Sequence, residues 1–139
     1  MLIALEHNWI FDTAFSNYVT RMKIKIFGTK ETQYLDGEYE KKIGRIISAQ
    51  EIPGVYEQTA RVHFEESGEE RSIVTRYILP VKPSFGEEVL VLGGKQKGRA
   101  LVVRDTDADD TVVSTRENPS DIDKVPTGMV VPLYEAGAS

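Results

Sequence analysis

Two prolines, Pro80 in YILPV and Pro132 in MVVPL, stand 52 residues apart, and each closes an apolar run. What precedes the first largely recurs before the second. KIKIFG leads to DGEYEKKIGRII (36–47), and VLVLGG leads into GGKQKGRALVV (93–103), with Gly44 and Gly98 54 residues apart. HF-EESGEE-RSIVTRYILPV then matches VV-STRENPSDID-KVPTGMVVPL. Each half reads strand, basic turn, glycine-led strand, strand, acidic turn, strand ending at proline. A period of this length is the mark of one supersecondary unit used twice.

The runs between turns are short and rich in Val and Ile. They are MKIKIF (22–27), IGRIIS (43–48), TARVHFEE (59–66), RSIVTRYI (71–78), EEVLVLG (87–93), RALVVRD (99–105), DTVVSTRE (110–117) and TGMVVPLY (127–134). Evenly spaced strands of this kind predict an all-β fold of small barrels or sandwiches. VKPSFGEE, with Pro83 and Gly86, reads as the linker between copies. The expected organisation is an N-terminal arm (1–21) packing on the barrels, a first module (22–82), and a second module (83–139) ending in a short tail. A single module of about 55 residues is marginal alone, so two are expected to share a seam. In the arm, Asp12 or Thr13 is placed to cap a helix over AFSNYVTRM. Phe15, Tyr18, Val19 and Met22 suit the packing residues of an extended arm equally well. Trp9 is expected to pack.

Composition removes several function classes. The chain has no cysteine and only two histidines, His7 and His63, which excludes thiolate chemistry and cysteine or histidine-rich metal sites. No apolar run approaches the roughly 20 residues that span a bilayer, so no membrane partner is expected. MLIALEHNWIF lacks a basic n-region, which points to an intracellular protein. The net charge is −5; residues 1–82 hold 11 basic and 12 acidic side chains, and residues 83–139 hold 6 and 10. Neither half binds nucleic acid by overall charge, so any such contact needs a local patch. DTDADD (105–110) fails as a calcium loop, because Asp110 replaces the glycine at position six and Arg116 the glutamate at position twelve. The nucleophile, zinc and phosphate-loop motifs are missing, and Asn118 precedes Pro119, which removes a glycosylation sequon. The expectation is a protein that is not an enzyme and uses no cofactor and no metal.

The candidate contact residues are the basic turns: Lys41, Lys42 and Arg45 in the first copy, and Lys95, Lys97 and Arg99 in the second. Tyr39 beside the first cluster is placed to stack a base, a contact worth roughly 1–3 kcal/mol. Glu38 and Glu40 offset that cluster, and solvated hairpin tips that stop strands pairing edge to edge are the competing explanation. The aromatic residues Tyr34, Tyr39, Tyr56, Phe64 and Tyr77 of the first copy raise an alternative. A cage of rings would hold a methylated lysine or arginine by cation–π attraction.

A strand V-x-V-x-x-G, a basic turn and G-x-(V/I) resembles the KOW motif, the first hairpin of a five-stranded SH3-like barrel in transcription elongation and ribosomal proteins. The pieces here are KIKIFG…DGEYEKKIGRII and VLVLGGKQKGRALVV, with WIFD (9–12) ahead of them and LPVKP (79–83) between them. Over roughly residues 8–134 the chain is similar to the C-terminal tandem KOW domains of the large subunit of the eukaryotic elongation factor DSIF, which is related to NusG. The resemblance implies two small five-stranded SH3-like (KOW/Tudor-type) barrels in tandem. It also implies a nuclear, non-catalytic module that docks on RNA polymerase II or associated elongation factors, with single-stranded RNA as a weak partner. The tail EAGAS follows the last strand without a fold-like signal, so a monomeric fragment of a larger protein is expected.

Overall fold

The computed structural model describes residues 5–136; the first four residues of the arm and the last three of the tail lie outside the described residues. Ten strands form two antiparallel sheets of five. In the first copy they are β1 (Lys23–Ile26), β2 (Ile43–Ala49), β3 (Thr59–Phe64), β4 (Glu70–Val74) and β5 (Ile78–Pro80). In the second they are β6 (Glu88–Val91), β7 (Ala100–Thr106), β8 (Asp110–Ser114), β9 (Asp123–Pro126) and β10 (Val130–Pro132). The spatial orders, β4-β3-β2-β1-β5 and β9-β8-β7-β6-β10, are the same.

The repetition extends to irregularities. The second strand of each copy carries a bulge on the way to the third, between Ile46 and Ser48 and between Val103 and Asp105. The fourth and fifth strands of each are joined by a 3-10 turn, Thr75–Tyr77 and Thr127–Met129. This turn splits the run read as one strand over 71–78. It also separates β10 from β9, whose sequence DKVP carries no strand signal of its own.

Register corrects one equivalence. Ile24 pairs with both Pro80 and Gly44, and Val89 pairs with both Pro132 and Leu101. With the prolines matched, Gly44 corresponds to Leu101. The counterpart of Gly98 is Lys41: the Lys41 N–H donates to the Ile26 carbonyl at 2.6 Å, and the Gly98 N–H donates to that of Val91 at 2.8 Å. Both lie in the left-handed region, with φ 63° and 85°. Glycine meets that requirement without a Cβ clash, and Lys41 meets it with one. Gly44 is needed for a different reason. A Cβ there would lie 2.6 Å from both the His63 carbonyl oxygen and the Val62 Cγ1.

The arm is not an α-helix. Three 3-10 turns, Trp9–Phe11, Thr13–Phe15 and Val19–Arg21, carry it across both copies, and the Asp12 carboxylate caps Ala14 N–H at 2.9 Å. Trp9, Ile10 and Phe15 are buried, and the Trp9 indole N–H donates to the Ile78 carbonyl at 3.1 Å. Asp12 pairs with Lys97 at 2.7 Å, while Arg21 binds the Glu88 carboxylate and the Tyr134 carbonyl. No helix among the described residues is long and apolar enough to cross a membrane. The main core joins the arm to Ile24, Ile26, Ile46, Val62, Phe64 and Ile73, and it continues into Leu90, Leu92, Val131 and Leu133 of the second copy. A smaller core of Val89, Val91, Leu101, Val103, Val113, Val125 and Val130 fills the second copy alone.

Gly44→Ala is expected to lower stability by roughly 1–3 kcal/mol through overpacking against β3. Urea denaturation checks this, and an unchanged midpoint would show that Val62 and the β3 backbone yield freely.

Candidate interaction surface

The loop that joins β1 to β2, residues 27–42, is not the plain hairpin that DGEYEKK implies. It holds a single helical turn, α1 (Thr29–Thr32), then a 3-10 segment over Tyr34–Gly37. Gln33, Leu35, Asp36 and Lys41 all have positive φ. Side chains of non-glycine residues resist this conformation by roughly 1–2 kcal/mol each, so the loop needs fixing points. Glu40 supplies one: its carboxylate accepts from the Thr29 hydroxyl at 2.7 Å, the Thr29 N–H at 2.8 Å and the Gly28 N–H at 3.2 Å. These bonds, with the Thr29 hydroxyl foremost, hold its carboxyl below the ordinary glutamate value of 4.5. The Tyr34 hydroxyl accepts from the Val74 N–H at 3.0 Å, and the Thr32 and Tyr77 hydroxyls meet at 2.8 Å.

Tyr39 is another fixing point, which removes it as a stacking platform. It is 4% exposed, its ring lies 5.0 Å from that of Phe64, and its hydroxyl donates to Glu69 at 2.8 Å. Arg71 donates to the same hydroxyl at 3.2 Å, and Lys42 and Arg71 both sit over the ring. Burial, then the Glu69 carboxylate, pushes this phenol upward. A base has no face of Tyr39 to reach.

The predicted cations separate into three groups. Lys41 and Lys42 are exposed and line a shallow groove with Ile43, Glu65, Glu66 and Ser67. In the second copy, Lys97 is bound to Asp12 and lies over the Phe15 ring, Lys95 stands 3.9 Å from Asp123, and Arg99 donates to Gln96 at 2.6 Å. Lys97 braces the arm and Arg99 its own turn, while the Lys95 side chain stays 81% exposed. Arg45 belongs to neither hairpin tip. It sits on the outward face of β2, where its guanidinium donates to the Thr20 carbonyl at 3.1 Å.

That outward face is the locally basic surface of the chain. Directly paired residues share a face, and side chains alternate along each strand. Lys23 faces Arg45, Arg45 faces His63, and His63 faces Glu70, which lies 3.5 Å from the imidazole Nδ1. Two residues along the strands, Lys25 and Arg61 join them, so Lys23, Lys25, Arg45 and Arg61 stand on one sheet face with two carboxylates, Glu70 beside His63 and Glu65 beside Ile43. Tyr134 lies at the margin, beneath the Lys23 ammonium, with Glu65 and Arg45 near its hydroxyl. Burial, then Glu65, pushes that phenol upward. Lys23, Lys25 and Arg61 lie within strands, so turn composition does not point to them. The signal was the alternation in KIKI and RVH, which puts every second residue outward.

Of the acidic stretch 105–110 only residues 107–109 form the turn, since Asp105 and Thr106 end β7 and Asp110 begins β8. The Asp107 carboxylate accepts from the Asp109 and Asp110 N–H groups, both at 2.8 Å. Among the described residues no group of three or more His, Cys, Asp or Glu is arranged to hold a metal. Comparison with protein-family models and with curated proteins finds no match for this chain.

Acidification tests the Glu40 clamp. Its folded-state pKa is depressed, so its contribution is full above about pH 4.5 and is lost as pH falls through the lower folded value. Amide exchange in residues 28–41 is expected to accelerate selectively below that pH, and Glu40→Gln to show the fast exchange already at neutral pH. Uniform exchange across both copies would assign the acid transition to the global fold instead.

Proposed function

We propose that this chain is a non-catalytic interaction module of two SH3-like barrels in tandem, of the KOW type, that docks on RNA polymerase II during transcription elongation in the nucleus. The barrel reading is supported by the twofold use of one strand order, with matching bulges and a 3-10 turn before each last strand. The family reading rests on the KOW-like stretches KIKIFG…DGEYEKKIGRII and VLVLGGKQKGRALVV. Docking rests on one observation above all: in a chain of net charge −5, Lys23, Lys25, Arg45 and Arg61 gather on one preformed sheet face. Such a face steers toward an acidic surface and orients the encounter.

The rival reading, a Tudor-type reader of methylated lysine or arginine, needs three or four rings around an open space. Tyr34 stacks on Tyr77 at 4.5 Å and Tyr39 packs on Phe64, so four of the five rings pair off, and Tyr56 is 98% exposed. Those pairings favour the docking module.

Purified RNA polymerase II is expected to bind the chain on a biosensor surface. Reversing Lys25 and Arg61 to glutamate should weaken that binding at least tenfold, or about 1.4 kcal/mol, at low salt and less at high salt. Absence of binding by the unaltered chain overturns the proposal. A parallel gel-shift series with single-stranded RNA should show weak, steeply salt-dependent binding that the same two reversals abolish.

A further inference from the structure

The two copies act as internal controls for each other. In the second, β7 and β8 are joined by residues 107–109 alone. In the first, β2 and β3 are joined by residues 50–58, QEIPGVYEQ. The same strand order is made with the short turn, so the added residues are not required for pairing.

What the longer loop does with them is unusual. Ile52, Val55 and Tyr56 are 56%, 45% and 98% exposed, while Gln58 is 5% exposed. The buried amide of Gln58 is spent entirely on the loop: it accepts from the Ile52 N–H at 2.9 Å and donates to the Ile52 carbonyl at 2.9 Å and to that of Val55 at 2.7 Å. A turn over Ile52-Pro53-Gly54-Val55 closes with a Val55 N–H to Ile52 carbonyl bond at 3.3 Å, and Gly54 takes the positive φ of 81° that such a turn requires. A polar side chain is thus held inside, which fixes the loop backbone from which three apolar side chains point out. A backbone ordered before contact leaves only side-chain freedom to be lost on binding, which favours an interface anchor. The charges nearby are Glu51 and Glu57, the latter 3.2 Å from Arg76.

We infer that the 52–56 loop is a docking knob with a preorganised backbone, whose apolar side chains insert into an apolar pocket of a partner protein, one with a basic side chain on its rim that complements Glu51, since Glu57 is already paired with Arg76. The Glu51 carboxylate repels phosphate, which disfavours nucleic acid at this site. The inference rests on the docking reading above, and gives it a second contact of opposite character to the basic sheet face.

The test uses the full chain against immobilised RNA polymerase II at low and physiological salt. The variants are a loop triple (Ile52→Ser, Val55→Ser, Tyr56→Ala) and Gln58→Ala, which leaves every exposed side chain of the knob in place. The triple is expected to keep its melting temperature, since it changes only exposed groups, and to lose at least tenfold in affinity by a factor that salt does not alter. Gln58→Ala should lose a smaller factor, chiefly in association rate. If the unaltered chain binds and the triple binds equally, the knob is overturned and the docking reading stands. If the unaltered chain does not bind, both fall. If the triple instead loses affinity for single-stranded RNA, Tyr56 is a base-stacking residue and the protein-pocket assignment is overturned.

Discussion

Everything in this molecule leans on the burial of both faces of β6 and β10. Val89, Val91 and Val130 point into the second copy's own core, and Leu90, Leu92 and Val131 point the other way, into the core of the first copy and the arm. Each buried side chain of this kind contributes roughly 1.5–3 kcal/mol. For copies of this size, whose separate cores are small, that seam is a large share of what is available. The polar framework follows its outline. Leu133 bridges Met22 just ahead of β1, Arg21 reaches Glu88 and the Tyr134 carbonyl, and the arm closes the open side through Trp9, Ile10 and Phe15. The two copies fold against each other because neither has another way to cover those leucines.

The seam is written in the sequence as a contrast between two otherwise matching strands. KIKI alternates, so β1 buries one face and shows lysine on the other. EVLVL is continuous, so β6 has no face fit for water. The repeat, the all-β class and the proline-terminated strands were legible because they are local patterns of period two punctuated by Pro and Gly. The pairing of Gly44 with Gly98 was misread because identity stood in for conformation. Two glycines at similar spacing serve unlike needs, one a close approach to Val62 and the other a left-handed turn. The lysine that fills that turn in the first copy gives no sign of its backbone angle.

The candidate surfaces were less legible than the fold, for a physical reason. Charge at a turn is visible in one dimension, but a charged face is assembled by register, and Lys23, Arg45 and His63 lie far apart in the chain. Tyr39 illustrates the reverse. Among acidic and basic neighbours it looks solvent-facing, yet Glu69 and Arg71, thirty residues on, satisfy its hydroxyl and let the ring bury on Phe64. The conformation of the 27–42 segment was hidden for the same reason. Two of its fixing points, Tyr34 on Val74 and Thr32 on Tyr77, join residues 40 or more apart, and the third, Glu40 on Thr29, spans 11 residues without a periodic pattern to mark it.

Duplication explains why the elaborations fall on one copy. The second has short connections at both positions where the first has long ones, and two of its basic turn residues, Lys97 and Arg99, are committed to Asp12 and Gln96. The first copy turns only one sheet face inward, and its outer face meets the second copy only at the margin, where Tyr134 lies beneath Lys23. Cations settle on that outer face, where water and the neighbouring carboxylates keep them solvated. The two long loops are fixed by internal hydrogen bonds, through Glu40 in one and Gln58 in the other, and the first also buries Tyr39 against the core. Division of labour between a buttress and a presenting surface is what a duplicated small β unit permits, and in the first copy it leaves Ile52, Val55 and Tyr56 to solvent.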